Sequence, residues 1–246
     1  MLFLRTSALP VLLVLLWWAA SRHVPSLLLP SPAAVGEAFL SLLASGEWFV
    51  HAGQSLARVF AGYATASTLA LGAAALLYRR PRLEGWLSPL MESLRVVPPL
   101  SLIPLLILWL GIDEAPKLAI VVLASFFPVF VTTREALARV ARDYEDVSNV
   151  LALTPVERLR HVLLPGAAGP VSAGLRLGFG YAWRALVGAE LIAASSGLGY
   201  LIEDAGSLAH TDVVFVGILS IALLGVGFDA LFRRLAQRFE YGGEKR

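Results

Sequence analysis

Apolar residues dominate this chain in long blocks separated by short polar stretches. Six blocks stand out: about Ala8–Ser21, Leu56–Tyr78, Trp86–Leu110, Ala115–Thr132, Ala167–Ser195 and Val213–Phe232. Each approaches the roughly 20 residues that an α-helix needs to cross a bilayer. The pattern therefore predicts an all-α integral membrane protein with six spans. The third block is interrupted by Pro98 and Pro99, and the fifth is rich in glycine.

The first block allows two readings. One arginine, a leucine-rich run and the tripeptide Ala19-Ala20-Ser21 also describe a cleaved signal peptide. Bulky Trp17 and Trp18 just before that tripeptide fit an aromatic anchor at the membrane interface. The anchor reading is preferred. Between the first two blocks, Val35, Phe39, Leu42 and Leu43 recur at helical spacing. They predict a short helix, either lying on the outer leaflet or packed on the bundle.

Composition agrees with the block pattern. Of 246 residues, 57% are hydrophobic and 15% charged, and the mean hydropathy is +0.73. A soluble domain carries about a quarter charged residues. A soluble enzyme, a disordered tail and a nucleic-acid binder are thereby excluded, and no catalytic residues are assigned. Cysteine is absent, which excludes disulfides, thiolate metal ligands and a thiol nucleophile. His23, His51, His161 and His210 are scattered without ligand spacing, so no metal site is expected.

Where the cations lie sets orientation. Fourteen of the 20 lysines and arginines fall on one side of a six-span arrangement: Arg5; Arg79, Arg80 and Arg82; Arg134, Arg139, Arg142, Arg158 and Arg160; Arg233, Arg234, Arg238, Lys245 and Arg246. Arg22 and Lys117 fall on the other, and Arg58, Arg95, Arg176 and Arg184 lie in or beside spans. Positive charge concentrates on the cytoplasmic side, so both termini are expected inside. The chain then reads as one transmembrane domain over 1–246. It has an N-terminal helix at 1–21, an outer loop at 22–54, a core at 55–232 with a cytoplasmic loop at 135–165, and a tail at 233–246.

That cytoplasmic loop is the longest polar stretch. Thr154-Pro155-Val156-Glu157 has the form of a helix start. Threonine suits the N-cap, proline the first turn, and glutamate at the third position bonds back to the cap. A helix is predicted over 155–162, with Pro165 breaking it before the fifth span. Val156, Leu159, Val162 and Leu163 would form its apolar face, either inserted into a partner or folded back on the bundle.

Charges within spans are costly, about 2.5–3.5 kcal/mol each. In the fifth block Arg176, Trp183 and Glu190 fall within about 40° of one helical face. This face lines a path, or else Arg176 snorkels to an interface and Glu190 pairs structurally. Asp229 precedes Arg233 by one turn, which suits a local pair, as do Glu92 and Arg95. The break at Pro98 and Pro99 frees carbonyls for a path or merely kinks the helix. Gly197 and Gly199 open the following outer loop as an outer gate or a plain turn.

Several of these stretches together resemble a known family. Asp146-Val-Ser-Asn-Val-Leu-Ala152, then nine residues, then Val162-Leu-Leu164-Pro165 is similar to the "EAA" loop of ABC-importer permeases. Asp146 replaces the glutamate, Val147 and Ser148 the alanines, and Ala152 the glycine. Ser55–Tyr63 looks like the start of the permease core and Val97-Pro98-Pro99 like its third span, while Gly174-Leu-Arg176, Ala189-Glu190 and Gly197–Ile202 look like the nitrate/sulfonate/taurine branch. The resemblance implies a six-helix, type I permease acting as a homodimer in the cytoplasmic membrane. It also implies two cytoplasmic ATPase subunits, which would hold the ATP and magnesium, and an extracytoplasmic solute-binding protein. On this basis Asp146, Ala152, Leu153, Thr154, Pro155, Val156, Glu157, Leu164 and Pro165 are expected to couple to the ATPase. No cofactor is expected on this chain, which has no Gly-x4-Gly-Lys-Ser/Thr phosphate loop. An ion-driven secondary transporter and a non-transporting scaffold are the rival readings.

Overall fold

A computed structural model describes residues 2–241, with side chains described from Pro10 to Arg234 (except Pro81 and Glu145) and at Ala236. Met1, Lys245 and Arg246 lie outside the described residues, as do the side chains of Arg5 and Arg238. All regular structure among the described residues is helical. The helices are α1 (Leu2–Ser21), α2 (Pro32–Ser45), α3 (Glu47–Arg79), α4 (Pro81–Val96), α5 (Ile103–Leu110), α6 (Glu114–Asp143), α7 (Glu145–Val150), α8 (Pro155–Arg158), α9 (Leu164–Ala193), α10 (Leu198–Ser207) and α11 (Thr211–Tyr241). A 3-10 turn, Pro99–Leu102, precedes α5, and a π-turn, Leu159–Leu163, joins α8 to α9.

Four helical stretches are long and apolar enough to cross a membrane: Glu47–Arg79, Glu114–Asp143, Pro155–Ser207 (which includes the turn between α9 and α10) and Thr211–Arg234. A fifth is broken, with Arg82–Val96 and Pro99–Leu110 meeting at 85°. The sixth predicted block is α1, of which Pro10–Ser21 is described in full and is a short apolar helix.

The chain divides into two compact units. The first comprises Met1–Leu56 with Glu190–Leu224. Within it Trp17 donates its indole N–H to the Pro30 carbonyl at 3.0 Å and stacks on Phe215. Neighbouring Trp18 is exposed, with the Arg22 guanidinium 3.9 Å above its ring. Helix α2 starts where Ser31 Oγ accepts from the Ala34 N–H, has Pro32 at its first position and ends at Gly46 in the left-handed region. It buries Val35 and Leu42 and sets Phe39 edge-on to Trp48.

The second unit comprises Ala57–Ala189 with Gly225–Arg246. Its helices approach closely where small residues allow it. A Cβ at Gly178 would stand 2.5 Å from Val129 Cγ2 and 3.3 Å from the Ser125 carbonyl, and one at Gly174 would overlap Thr132. The Gly174-x3-Gly178 pair thus seats α9 on α6. Ala70, Ala74 and Leu77 of α3 pack on Val129 and Phe130 of α6. Arg58 donates twice to Glu114, at 2.6 and 2.8 Å, and Lys117 donates to the same carboxylate at 2.9 Å. Lys117 was expected in an outer loop. It lies instead in the first turn of α6, only 3% exposed, because α6 starts at Glu114 and carries the carboxylate that holds it.

Replacing Gly178 with leucine should overpack the α6–α9 contact and cost about 1–3 kcal/mol or more. Thermal unfolding of the detergent-solubilised protein would show a lowered midpoint. An unchanged midpoint would mean that the contact does not hold the helices together.

Candidate functional site

The polar loop is built by continuing one span and restarting another. Helix α6 runs without a break through Asp143, so its last turns form the first arm of the loop. Short α7 follows and stops in two linked bonds: Ala152 N–H to the Asn149 carbonyl and Leu153 N–H to the Ser148 carbonyl, both 3.1 Å. This pair closes a helix when the residue at 152 is left-handed, and Ala152 has φ +48°. Position 152, where the resemblance puts a glycine, is thus left-handed in this chain and is occupied by an alanine that bears the Cβ penalty. Ser148, in a position where the family has alanine, is buried and bonds back to the Tyr144 carbonyl.

The next helix starts as the sequence predicts. Thr154 Oγ1 accepts from the Glu157 N–H at 3.3 Å, and Glu157 accepts from the Thr154 N–H at 2.9 Å. Pro155 occupies the first turn. The predicted stop at Pro165 does not occur. A π-turn over Leu159–Leu163, in which the Leu164 N–H reaches the Leu159 carbonyl, widens the backbone just ahead of the proline. Proline clashes with the carbonyl four residues earlier and lacks an N–H. The wider turn removes that conflict, and the helix continues into α9. Arg158 ties the two arms by donating to the Ala141 carbonyl at 3.0 Å.

The loop tip is apolar and uncovered. Val150 is 85% exposed, Val156 72% and Leu151 62%; Leu159 and Leu164 are also exposed. Asp146 lies exposed on the same segment. The predicted apolar face splits. Leu163 is buried against Ala136, Leu137, Val140 and Ala167, with Val162 packed beside it. Only Val156 and Leu159 face outward, because the π-turn rotates the later residues toward α6.

The other candidates fall into separate places. Arg176 and Trp183 line one small cavity of about 40 Å³ with Phe179, Gly180, Gly225, Asp229 and Phe232. It is too small for an organic solute. Arg176 there donates twice to Asp229, at 2.6 and 2.7 Å, and Arg233 adds a third bond at 2.9 Å. The Asp229–Arg233 pair expected one turn apart is present, but the stronger partner, Arg176, comes from 53 residues away. Glu92 and Arg95 pair locally at 2.6 Å.

Glu190 does not join Arg176 and Trp183. It is 1% exposed and accepts from Ser55 Oγ (2.8–2.9 Å) and from the Gly199 N–H at 3.0 Å. Ser55 in turn accepts from the Leu198 N–H at 2.8 Å, and the Gly197 N–H donates to His51 Nδ1 at 3.1 Å. Gly197 has φ +115°, and a Cβ there would overlap the Glu190 carboxylate. Glu190, Gly197 and Gly199 therefore form one buried knot that shapes the 195–199 turn. Ser55 and His51 were missed as its members; their spacing of one turn at the start of α3 was the only available signal.

Pro98 and Pro99 produce the full 85° break rather than a mild kink. The freed Pro98 carbonyl accepts from both the N–H (3.0 Å) and the hydroxyl (2.7 Å) of Ser101. Leu100 packs at Gly188, and Ile103 is buried with Ile120, Ala124, Ala185 and Ala189. A second cavity, about 510 Å³, is walled by Trp17, Val35, Phe39, Trp48, Leu219 and Leu223 among others and carries no charged group, so it does not suit an ionic solute. Among the described residues no cluster of His, Asp and Glu is arranged to hold a metal.

Comparison with known proteins identifies the family. Residues 66–241 match the family model described as "Binding-protein-dependent transport system inner membrane component". The permease protein SsuC of Bacillus subtilis (strain 168), named for aliphatic sulfonates transport, is 35% identical over 94% of this chain and 84% of its own length. The taurine transport system permease protein TauC of Escherichia coli (strain K12) is 36% identical over 94% of this chain and 88% of its own. In fold, a chain of the inward-facing MetNI methionine ABC transporter superposes with a TM-score of 0.66 at 18% identity, covering 81% of this chain and 97% of that one.

Two predictions follow from the geometry. Ala152→Gly relieves the left-handed alanine and should stabilise the loop turn by about 0.5–1 kcal/mol after glycine's own entropy cost. Slower hydrogen exchange at the Leu153 amide would report it, and faster exchange would contradict it. Glu190→Ala strands the Ser55 hydroxyl and the Gly199 N–H and should cost about 2–5 kcal/mol, with Glu190→Gln milder. Thermal unfolding of the three proteins orders them; equal midpoints would contradict the knot.

Proposed function

Because the chain belongs to the family of binding-protein-dependent transport system inner membrane components, we propose that it is the membrane-spanning subunit of an ABC importer for small sulfonate-, nitrate- or taurine-like solutes. Two copies form the path, two cytoplasmic ATPase subunits drive it, and an extracytoplasmic binding protein delivers the solute. The observation that carries this reading is the loop tip. Val150, Leu151 and Val156 are large, apolar and uncovered, on a tip held rigid by the Ala152 closure and the Thr154–Glu157 capping box. A rigid apolar knob on a water-facing loop suits insertion into a groove of a partner.

The arms behind the tip suit force transmission. One arm is the unbroken α6, the other continues through α8 and the π-turn into α9, and Arg158 cross-links them. When ATP draws the two ATPase subunits together, the two tips follow and the attached helices tilt between inward-open and outward-open states. The side chains of this chain transmit that motion and hold the path; the chemistry of ATP belongs to the partner. The excess of arginine on the polar loops supports placing the tip and both termini in the cytoplasm. Both the sulfonate- and the taurine-named relatives support an anionic head on the solute.

Replacing Leu153–Glu157 with Gly-Ser residues should abolish co-purification with the ATPase subunit while the chain still inserts in the membrane. Undiminished co-purification and uptake would overturn the assignment. Proton-coupled uptake by a chain that binds no ATPase would favour the secondary transporter, and a chain without any uptake the scaffold.

A further inference from the structure

The exposed side of α9 carries one charge that the fold does not settle. Ala173, Leu177, Tyr181, Arg184 and Leu191 are exposed and follow one another at intervals of three, four or seven residues, which puts them on one stripe of the helix. Arg184 is the only ionic group on that stripe. It lies nine residues before the end of α9 at Ala193, about 14 Å along the axis, and 20 residues after the start, about 30 Å. An arginine so placed ordinarily extends toward the nearer membrane surface. This one does the opposite. Its Nε donates to the Gly180 carbonyl at 3.0 Å, and its guanidinium lies 4.8 Å from the centre of the Tyr181 ring. Both contacts lie on the N-terminal side, so the charge is aimed toward the middle of the span.

Several other cations in or beside the spans of the second unit have acidic partners. Arg176 and Arg233 share Asp229, Arg58 and Lys117 share Glu114, and Arg134 meets Glu84. Among the described residues Arg184 has no carboxylate within ion-pair distance, and its terminal N–H groups meet no acceptor. The space on its Gly180 side is uncrowded: among the described residues, a Cβ built at Gly180 would meet nothing within 4 Å except Nη2, at 3.9 Å. A planar cation with free parallel N–H groups, backed by an aromatic face and open on one side, matches a tetrahedral or planar oxyanion.

We infer that Arg184, backed by Tyr181, is an oxyanion-binding residue of the translocation path, taking the sulfonate or comparable head of the solute midway through the membrane. The inference rests on the importer reading above and adds the residue that gives the path its preference for anions. Arg176 is not equivalent, because Asp229 already occupies its N–H groups.

The absence of cysteine from this chain makes a direct test available. In the full complex with its ATPase subunits, reconstituted in lipid vesicles with the binding protein, Arg184→Cys should lower ATP-driven uptake of a radiolabelled alkanesulfonate about tenfold or more, the loss expected for one charged hydrogen-bond pair. Complex assembly and ATP hydrolysis stimulated by the binding protein should persist. A water-soluble, positively charged methanethiosulfonate should label the cysteine and restore uptake; a negatively charged one should label it and not restore uptake. Failure of both reagents to label would mean that lipid, or the second copy, covers the position, and would overturn the inference. Unchanged uptake in Arg184→Cys, or equal rescue by both reagents, would overturn it as well. If the cysteine variant does not assemble, Arg184→Lys should retain uptake that Arg184→Gln loses, and equal uptake in the two would be contrary. An unaltered complex that hydrolyses ATP with its binding protein yet carries no sulfonate would instead refute the proposed solute.

Discussion

A polar group inside a bilayer has no water to turn to, so it must find its partner within the protein or in an aqueous path. That constraint organises this chain. Glu190 is enclosed by Ser55 and the backbone of the turn at 197–199. Arg176 closes on Asp229, and Arg58 with Lys117 on Glu114. Even the carbonyl freed at Pro98 is met twice by Ser101. Hydroxyls within helices return to carbonyls of the preceding turn, as Thr65, Thr68 and Ser125 do. Each pairing fixes where a helix can lie, so satisfying charge and setting geometry are one process here. Two features bear most on function: among the described residues the terminal nitrogens of Arg184 on α9 meet no acceptor, and the tip between α7 and α8 is apolar and uncovered.

Local features were legible from the residues alone. The capping box at Thr154–Glu157 depends only on four consecutive residues, and it forms. The blocks of apolar residues mark the long helices, and Pro98-Pro99 marks the break. The Asp229–Arg233 and Glu92–Arg95 pairs are one turn apart and needed no knowledge of the fold. The family resemblance rested on such local strings too.

What escaped the sequence depends on register between helices. Arg176 meets Asp229 across 53 residues, and Ser55 meets Glu190 across 135. Periodicity placed Arg176, Trp183 and Glu190 on one face, yet a face 40° wide and about four turns long meets different neighbours along its length. Lys117 was counted with the outer loop although the fourth block starts two residues before it at Ala115, and the helix begins one residue earlier still, at Glu114. Pro165 was read as a stop because proline ordinarily ends a helix. A π-turn, which no residue pattern announces, let the helix pass.

The central claim is that motion enters through the tip at 150–159 from a separate motor and that the chain itself is a gate. The most direct measurement is solute flux into lipid vesicles holding either this chain alone or this chain with its ATPase subunits, each with binding protein and with or without ATP. The account predicts uptake only when ATPase subunits and ATP are both present. Uptake by the chain alone, without nucleotide, would contradict it.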